Sequence, residues 1–356
     1  MPGVRESSPS AKDGLGAQEK PARRAVYLAW TVFQRRQVSM SELVNLDCVF
    51  LPMAVGGKGS RTRKALSYFV LMWRTVRLLK RSEPDVVWLQ IPQVPLLWAA
   101  LVYRRFFDSA VRLVADCHNG MFLPRWAKVP FGLSMLGRCD LVLVHNDAVL
   151  ETAKEVGLPA GKTFVLEDVP PVAPVVPCAL PSVLEGCQRP WILFPGSFGV
   201  DEPIGELLDA ARLLESGTII MTGRHSNASA NGHDISGASP NVVMTGYLEL
   251  DDFNSLLRHC DVVLALTKVE GIQLSVCNEA LGFGKAMVAS DTKLLRAMFG
   301  DAAVMVRSAD PAAIASGIDE AYRQMEKYSN ASVQLAKRRR ADWVGKYNEY
   351  QSILRA

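Results

Sequence analysis

DVVLALTKVEGIQLSVCNEALGFGKAMVASD, residues 261–291, opens on an apolar run, breaks at Thr267, and closes on a second apolar run from Lys285 to Ser290. Short continuous apolar runs of this kind read as strands buried on both faces. The segment between them divides into a loop, Thr267 to Ser275, and a short helix, Val276 to Phe283. Strand, loop, helix and strand make the repeating unit of a parallel α/β sheet. Two carboxylates, Glu270 and Glu279, lie within the unit among small and apolar residues, with glycines at 271, 282 and 284. A buried carboxylate is costly unless paired or hydrogen-bonded, so the pair calls for a partner or a ligand.

Outward from this unit the pattern repeats. Apolar runs at 191–196, 217–223, 241–246 and 302–306 join the two above, and helical patterns separate them. In residues 202–214, for example, Ile204, Leu207, Leu208, Ala211 and Leu214 share one helical face. The first half holds six more such runs, at 25–30, 48–53, 85–91, 111–117, 140–145 and 162–167. Between the halves, residues 168–190 contain six prolines, which disfavour helix and central strand alike. The expected organisation is a tail at 1–22, a Rossmann-like domain at 23–168, a Pro-rich linker at 169–190, a second Rossmann-like domain at 191–330, and a C-terminal helix at 331–356. At 356 residues the chain has the length for two cores.

Composition narrows the function classes. A formal charge of +4 is too mild for a dedicated nucleic-acid binder. Seven cysteines without CxxC or zinc-type spacing suit a reducing compartment. Residues 1–22 are polar and lack the apolar core of a signal peptide, so a disordered tail on the cytosolic side is expected. The apolar stretch 86–103 is interrupted by Gln90, Pro92, Gln93 and Pro95, which favours strand, loop and buried helix over a membrane span.

In doubly wound sheets ligands bind outside the carboxyl ends of the strands. After the 191–196 run come Gly196, Ser197 and Gly199, then a helix start near Glu202 or Pro203: a phosphate cradle or a plain tight turn. After 217–223 come Gly223 and Arg224, the arginine suited to a diphosphate or to solvent. After 111–117, Asp116, His118 and Asn119 offer a general base and hydroxyl-binding groups. Glu270 and Glu279 can accept hydrogen bonds from sugar or ribose hydroxyls, with loop and helix-end N–H groups meeting a phosphate. No Asp-x-Asp occurs, so a metal chelated that way to a diphosphate is not expected, and no cofactor is implied beyond the donor substrate.

The 261–291 segment, preceded by VVMTGYLELDDFNSLLRHC, resembles the donor-binding half of GT-B glycosyltransferases of the family 4 type. LQIPQVPLLW, VADCHNGM and CDLVLVHNDAV in the first half resemble more specifically the β-mannosyltransferases that add the first mannose to a lipid-diphosphate-linked chitobiose. The resemblance covers roughly residues 85–310 and rests on the order of loose motifs. It implies a GT-B fold with an interdomain cleft and sugar transfer, mannose favoured, from a nucleotide diphosphate sugar to a lipid-linked saccharide. Asp116 or His118 would be the base of an inverting displacement and Asn119 would orient a hydroxyl. The donor would be held by Gly196, Ser197, Gly199, Gly223, Arg224, Glu270, Gly271, Leu274, Ser275 and Glu279. In a retaining mechanism Glu270 would face the sugar instead.

Three departures qualify the likeness. Glu270 and Glu279 are separated by eight residues where the family has seven, Ala286 stands in place of proline after Gly284-Lys285, and AWTVFQRRQV lacks the usual glycine-rich first loop. A non-catalytic GT-B subunit and a nucleotide-sugar epimerase therefore stay open. Residues 56–82 carry eight Lys or Arg and no acid, and 58–81 reads as a basic amphipathic helix for a membrane surface, its apolar face formed by Phe69, Met72, Val76 and Leu79. Leu335, Trp343, Tyr347, Tyr350 and Leu354 fall at helical spacing, and in GT-B folds the last helix crosses back onto the first domain.

Overall fold

The computed structural model describes residues 24–53, 61–122, 124–173 and 182–355. The expected tail at 1–22, the centre of the linker and the start of the basic segment lie outside these residues. Six strands form the first sheet: β1 (Ala25–Ala29), β2 (Asp47–Phe50), β3 (Val86–Ile91), β4 (Arg112–Cys117), β5 (Leu141–Val144) and β6 (Thr163–Val165). Six form the second: β7 (Trp191–Pro195), β8 (Thr218–Thr222), β9 (Val242–Gly246), β10 (Val262–Ala265), β11 (Ala286–Ser290) and β12 (Ala303–Val306). Each expected run forms one strand, the 48–53 run being cut back to Asp47–Phe50.

Every strand pairing is parallel. The orders are β2-β1-β3-β4-β5-β6 and β12-β11-β10-β7-β8-β9. In each sheet the chain reverses its direction of winding, between β1 and β3 and between β7 and β10. Helices therefore cover both faces, and crevices form at the carboxyl ends of those strands. Burial follows: all of β1, β3 and β8 are enclosed, which is why their sequences do not alternate.

The second domain packs on the segment that joins it to the first, and the last helix bridges the two. Gly282 ends helix Ser275–Gly282 against the linker, where a Cβ would stand 2.4 Å from the Pro171 carbonyl oxygen. Helix Met325–Arg355 starts on the second domain, where Ser332 donates to the Lys285 carbonyl oxygen. It then reaches the first. Trp343 Nε1 donates to the Glu167 carbonyl and the Tyr350 hydroxyl to that of Val165. Trp343, Tyr350 and Leu354 share a core with Tyr27, Trp88 and Leu141.

Helix Arg61–Ser82 lies on the other face of the first sheet, packed on helix Val94–Phe106. Its buried stripe is Leu71, Thr75 and Leu79, with Trp30 Nε1 donating to Thr75 Oγ1 at 3.0 Å. This corrects the expected apolar face. Leu79 is core, whereas Phe69 is 69% exposed and stands with Leu66, Val70 and Trp73 on the outside. The helix is apolar over a wider arc than the basic residues suggest, and the core takes the stripe one residue away. No helix among the described residues is long and apolar enough to cross a membrane.

Candidate active site

Beyond β1 the chain opens helix Arg35–Ser41 over the carboxyl end of the first sheet. Its first two residues, both arginines, point in opposite directions. Arg36 turns inward and grips Asp116 with two prongs, Nε to Oδ2 at 2.8 Å and Nη2 to Oδ1 at 2.9 Å. The same guanidinium reaches Asp168 Oδ1 at 2.6 Å and the Leu166 carbonyl at 2.7 Å. The Tyr27 hydroxyl also donates to Asp116 Oδ2. Asp116 is 0% exposed. Burial, the largest influence, pulls its pKa upward, but Arg36 together with His145 and His118 holds the carboxyl well below its ordinary range. Asp168 is held low in the same way, and burial raises the Tyr27 hydroxyl, helped by Asp116.

This corrects Asp116 as a candidate base. A base must offer a free lone pair to the substrate, and both Asp116 oxygens are committed inside the protein. What remains at the surface of the cleft is His118. Its Nε2 lies 3.2 Å from Nε2 of Gln34 and 3.2 Å from Nε2 of Gln90. The two side-chain amides occupy Nε2, which leaves Nδ1 as the ring nitrogen for a substrate proton. Burial lowers the His118 pKa, with Asp116 opposing, and keeps the ring neutral near pH 7. The His145 ring packs edge-on against it with centroids 4.4 Å apart, and burial together with Arg36 pushes His145 down to about 3. The Asn119 side chain lies outside the described residues.

Asp116, His118 and His145 bring their ligand atoms within 4.8 Å of one another, a spacing that a metal ion could use. The Arg36 charge and the filled Asp116 oxygens fit a proton-holding network better than a cation site.

The facing wall comes from the second domain. Leu274 precedes helix Ser275–Gly282 without a side-chain cap, leaving the helix N-terminus directed at the cleft. Glu279, nearly buried, receives Arg35 Nε at 3.3 Å from across the cleft, and Arg35 Nη2 donates to Asn254 Oδ1 at 2.8 Å. Burial raises the Glu279 pKa while Arg35 works against it. Between the walls lies a cavity of about 350 Å³ lined by Gln34, His118, His145, Gln273, Asn278 and Glu279 among others. Among the described residues, neither amide atom of Gln273 or Asn278 has a hydrogen-bond partner, and Ser39 Oγ and His145 Nε2 have none either. His145 Nε2 faces Asp116 Oδ1 at 3.7 Å; buried polar groups are normally satisfied, so the other three side chains around one cavity suit a hydroxyl-rich ligand.

The turn after β7 differs from its expected role. Ser197 N and Oγ and Phe198 N all donate to the Glu202 carboxylate, while Asn227, Asn231 and His233 bind the carbonyls of Ser197, Phe198 and Gly199. The N–H groups that would cradle a phosphate are taken, which corrects the cradle reading to the tight-turn one. Arg224 stacks on Tyr247 at 4.6 Å. Gly223, at φ +116°, serves packing: a Cβ there would lie 2.0 Å from the Gly196 carbonyl oxygen. Gly223→Ala is expected to cost about 1–3 kcal/mol, read as a lower urea midpoint without any ligand.

Glu270 is also corrected. It is exposed, and both its carboxylate oxygens accept from the Lys293 N–H, at 3.2 and 3.0 Å, where helix Lys293–Phe299 begins. It caps a helix rather than lining the cavity. Gly271 takes the φ +76° turn beside it. Of the expected site residues, the structure brings His118, Ser275 and Glu279 to one cavity with Asp116 directly behind, and leaves the β7 and β8 turns and Glu270 outside its lining. Gln34, Arg35, Arg36, His145, Asp168, Gln273 and Asn278 were missed. His145 ends β5 and was open to the same strand-end rule that found His118; the arginine pair carried no such signal.

The comparisons agree with this geometry. Residues 189–324, most of the second domain, match the family described as glycosyl transferases group 1. No curated protein matches the chain. Among solved structures, the HepE protein of Anabaena in complex with UDP-glucose is similar over 93% of this chain and 100% of its own, with TM-score 0.65 and 13% identity. Sucrose-phosphate synthase from Thermosynechococcus elongatus is similar over 86% and 83%, with TM-score 0.62 and 14% identity. A UDP-forming trehalose-phosphate synthase from Burkholderia xenovorans, in complex with glucose-6-phosphate, is similar over 84% and 80%, with TM-score 0.56 and 14% identity. The shared architecture is GT-B, two Rossmann-like domains facing each other across a cleft.

Proposed function

We propose that this protein is a glycosyltransferase that moves a hexose, mannose favoured, from a nucleotide diphosphate sugar to a hydroxyl of a lipid-linked saccharide at the cytosolic face of a membrane. The observation that carries the reading is the interdomain cavity with the unpartnered polar side chains of Ser39, Gln273 and Asn278. The nucleotide lies on the second domain with its ribose toward Glu279 and its diphosphate toward the N-terminus of helix Ser275–Gly282. The acceptor comes from the first domain, on the side of His118.

In the displacement, the acceptor oxygen forms a bond to the anomeric carbon as the bond from that carbon to the diphosphate oxygen breaks. The acceptor proton passes to His118, whose neutral ring accepts it, and the nucleoside diphosphate leaves carrying the electron pair. Helix dipole and arginine stabilise its charge, so no cofactor is required in this scheme. Inversion fits the cleft better than retention, because Glu270 is engaged at Lys293 N.

The lipid-linked acceptor is supported by helix Arg61–Ser82. Its exposed Leu66, Phe69, Val70 and Trp73 stand beside Lys64, Arg74 and Arg77, and the Arg77 guanidinium lies 5.1 Å from the Trp73 ring. Apolar side chains rimmed by cations suit an anionic bilayer, with each basic residue contributing about 1 kcal/mol near the surface. Phe69→Glu with Trp73→Glu is expected to abolish co-sedimentation with anionic vesicles; retained binding would sink the membrane assignment.

The deciding experiment incubates purified protein with a panel of GDP- and UDP-sugars, with and without a lipid-diphosphate saccharide, and follows nucleoside diphosphate release and product. Acceptor-dependent release from one donor is expected. Donor conversion without acceptor would indicate an epimerase, and no binding of any donor would leave the non-catalytic reading, which the internally filled turn after β7 favours.

A further inference from the structure

We infer that Arg35, on the first domain, is the cation that grips the donor diphosphate, and that Glu279 is its placeholder until the donor arrives. The inference rests on the donor-binding reading above and adds a residue and an exchange to it. Among the described residues the cavity lining holds two arginines, and one of them is already taken. Arg36 is 3% exposed at its side chain and fully committed to Asp116, Asp168 and the Leu166 carbonyl. Arg35 meets Glu279 through a single nitrogen at 3.3 Å, without the two-pronged fit that Arg36 makes with Asp116.

Among the described residues the cavity lining holds no lysine or arginine from the second domain, and three of that domain's cations have partners elsewhere. Lys285 donates to the Arg258 and Cys260 carbonyls, Lys268 faces Glu206 at 3.7 Å, and Arg224 lies on Tyr247. The N–H groups after β7 are filled by Glu202. A diphosphate placed at the uncapped N-terminus of helix Ser275–Gly282 therefore meets its positive charge from across the cleft. Asn278, one turn into that helix and 3% exposed, lines the same cavity with both amide atoms unpartnered.

A ribose hydroxyl donates to Glu279 in place of Arg35 Nε, while Arg35 Nη2 keeps its bond to Asn254 Oδ1 and the remaining N–H groups of the guanidinium meet phosphate oxygens. No bond is made or broken covalently. Arg35 adjoins Gln34, which holds His118 Nε2, so occupancy of the donor site and placement of the base are mechanically joined.

The test measures affinities of wild type, Arg35→Ala and Arg35→Lys for UDP, GDP, uridine and guanosine by calorimetry and ligand-observed NMR, with thermal unfolding checked in parallel. In Arg35→Ala the preference for the bound nucleoside diphosphate over its nucleoside should fall about tenfold to a hundredfold, the scale of charged hydrogen bonds. Nucleoside affinity should stay level or rise, since Glu279 is no longer occupied. Arg35→Lys should recover only part of the preference. An unchanged preference, or an equal loss for diphosphate and nucleoside, overturns the inference while leaving the donor reading intact. A wild type that binds neither diphosphate overturns both.

Discussion

Asp116→Ala is expected to lower folding stability by about 3–5 kcal/mol, the cost of removing one partner from a buried ion pair. The carboxylate is fully buried and accepts from Arg36 twice and from Tyr27 once. Its loss leaves Arg36 with Asp168 and the Leu166 carbonyl and strands the Tyr27 hydroxyl. Urea unfolding at neutral pH measures the effect; a loss below 1 kcal/mol would mean that the network contributes little. Acid should act in the same direction. Asp116 and Asp168 have carboxyls held below their ordinary range, so their contribution is present above that range and is lost as pH falls through it. His145, pushed down to about 3, refuses a proton that the unfolded chain accepts from about pH 6.5 downward. Urea midpoints should therefore decline steadily from pH 6.5 to pH 3.

His118→Ala is expected to reduce turnover by about 10²–10⁴-fold, the range for removing a general base, while nucleotide affinity stays within about twofold. The split follows from position: His118 lies on the wall of the first domain, opposite Glu279 and helix Ser275–Gly282. The pH profile carries a second signature. Burial lowers the His118 pKa, so the ring is an active base above that lowered value and is lost as pH falls through it. The acid limb of turnover should have its midpoint below the 6.5 of a free imidazole, and the His118→Ala variant should lack that limb. Normal turnover in this variant would remove His118 from the mechanism.

The strands were legible because burial on both faces writes itself as apolar runs. Strand-end position also led to His118, Ser275 and Glu279, which the fold brings to one cavity. The rest depended on distances that one dimension hides. Arg36 meets Asp116 across 80 residues and Asp168 across 132, and nothing local separates it from the surface arginine that such a pair usually is. Glu270 was misread because a carboxylate in a glycine loop has the same spelling whether it faces a sugar or caps Lys293 N. The turn after β7 carried its own filler, Glu202, five residues away from Ser197, but only the folded loop shows the carboxylate bending back. In helix Arg61–Ser82 two neighbouring apolar stripes competed, and packing on helix Val94–Phe106 chose between them.

The long last helix has a consequence for how the molecule is made. One face of the first sheet, including Tyr27, Trp88 and Leu141, is closed by Trp343, Tyr350 and Leu354. A ribosome completes the first sheet long before it adds residues 343–354. The nascent chain must therefore carry an exposed aromatic face through synthesis of the entire second domain, as a folding intermediate open to chaperones and aggregation. Cutting the chain after the linker should yield a first half that is insoluble alone and rescued by a co-expressed fragment bearing the last helix.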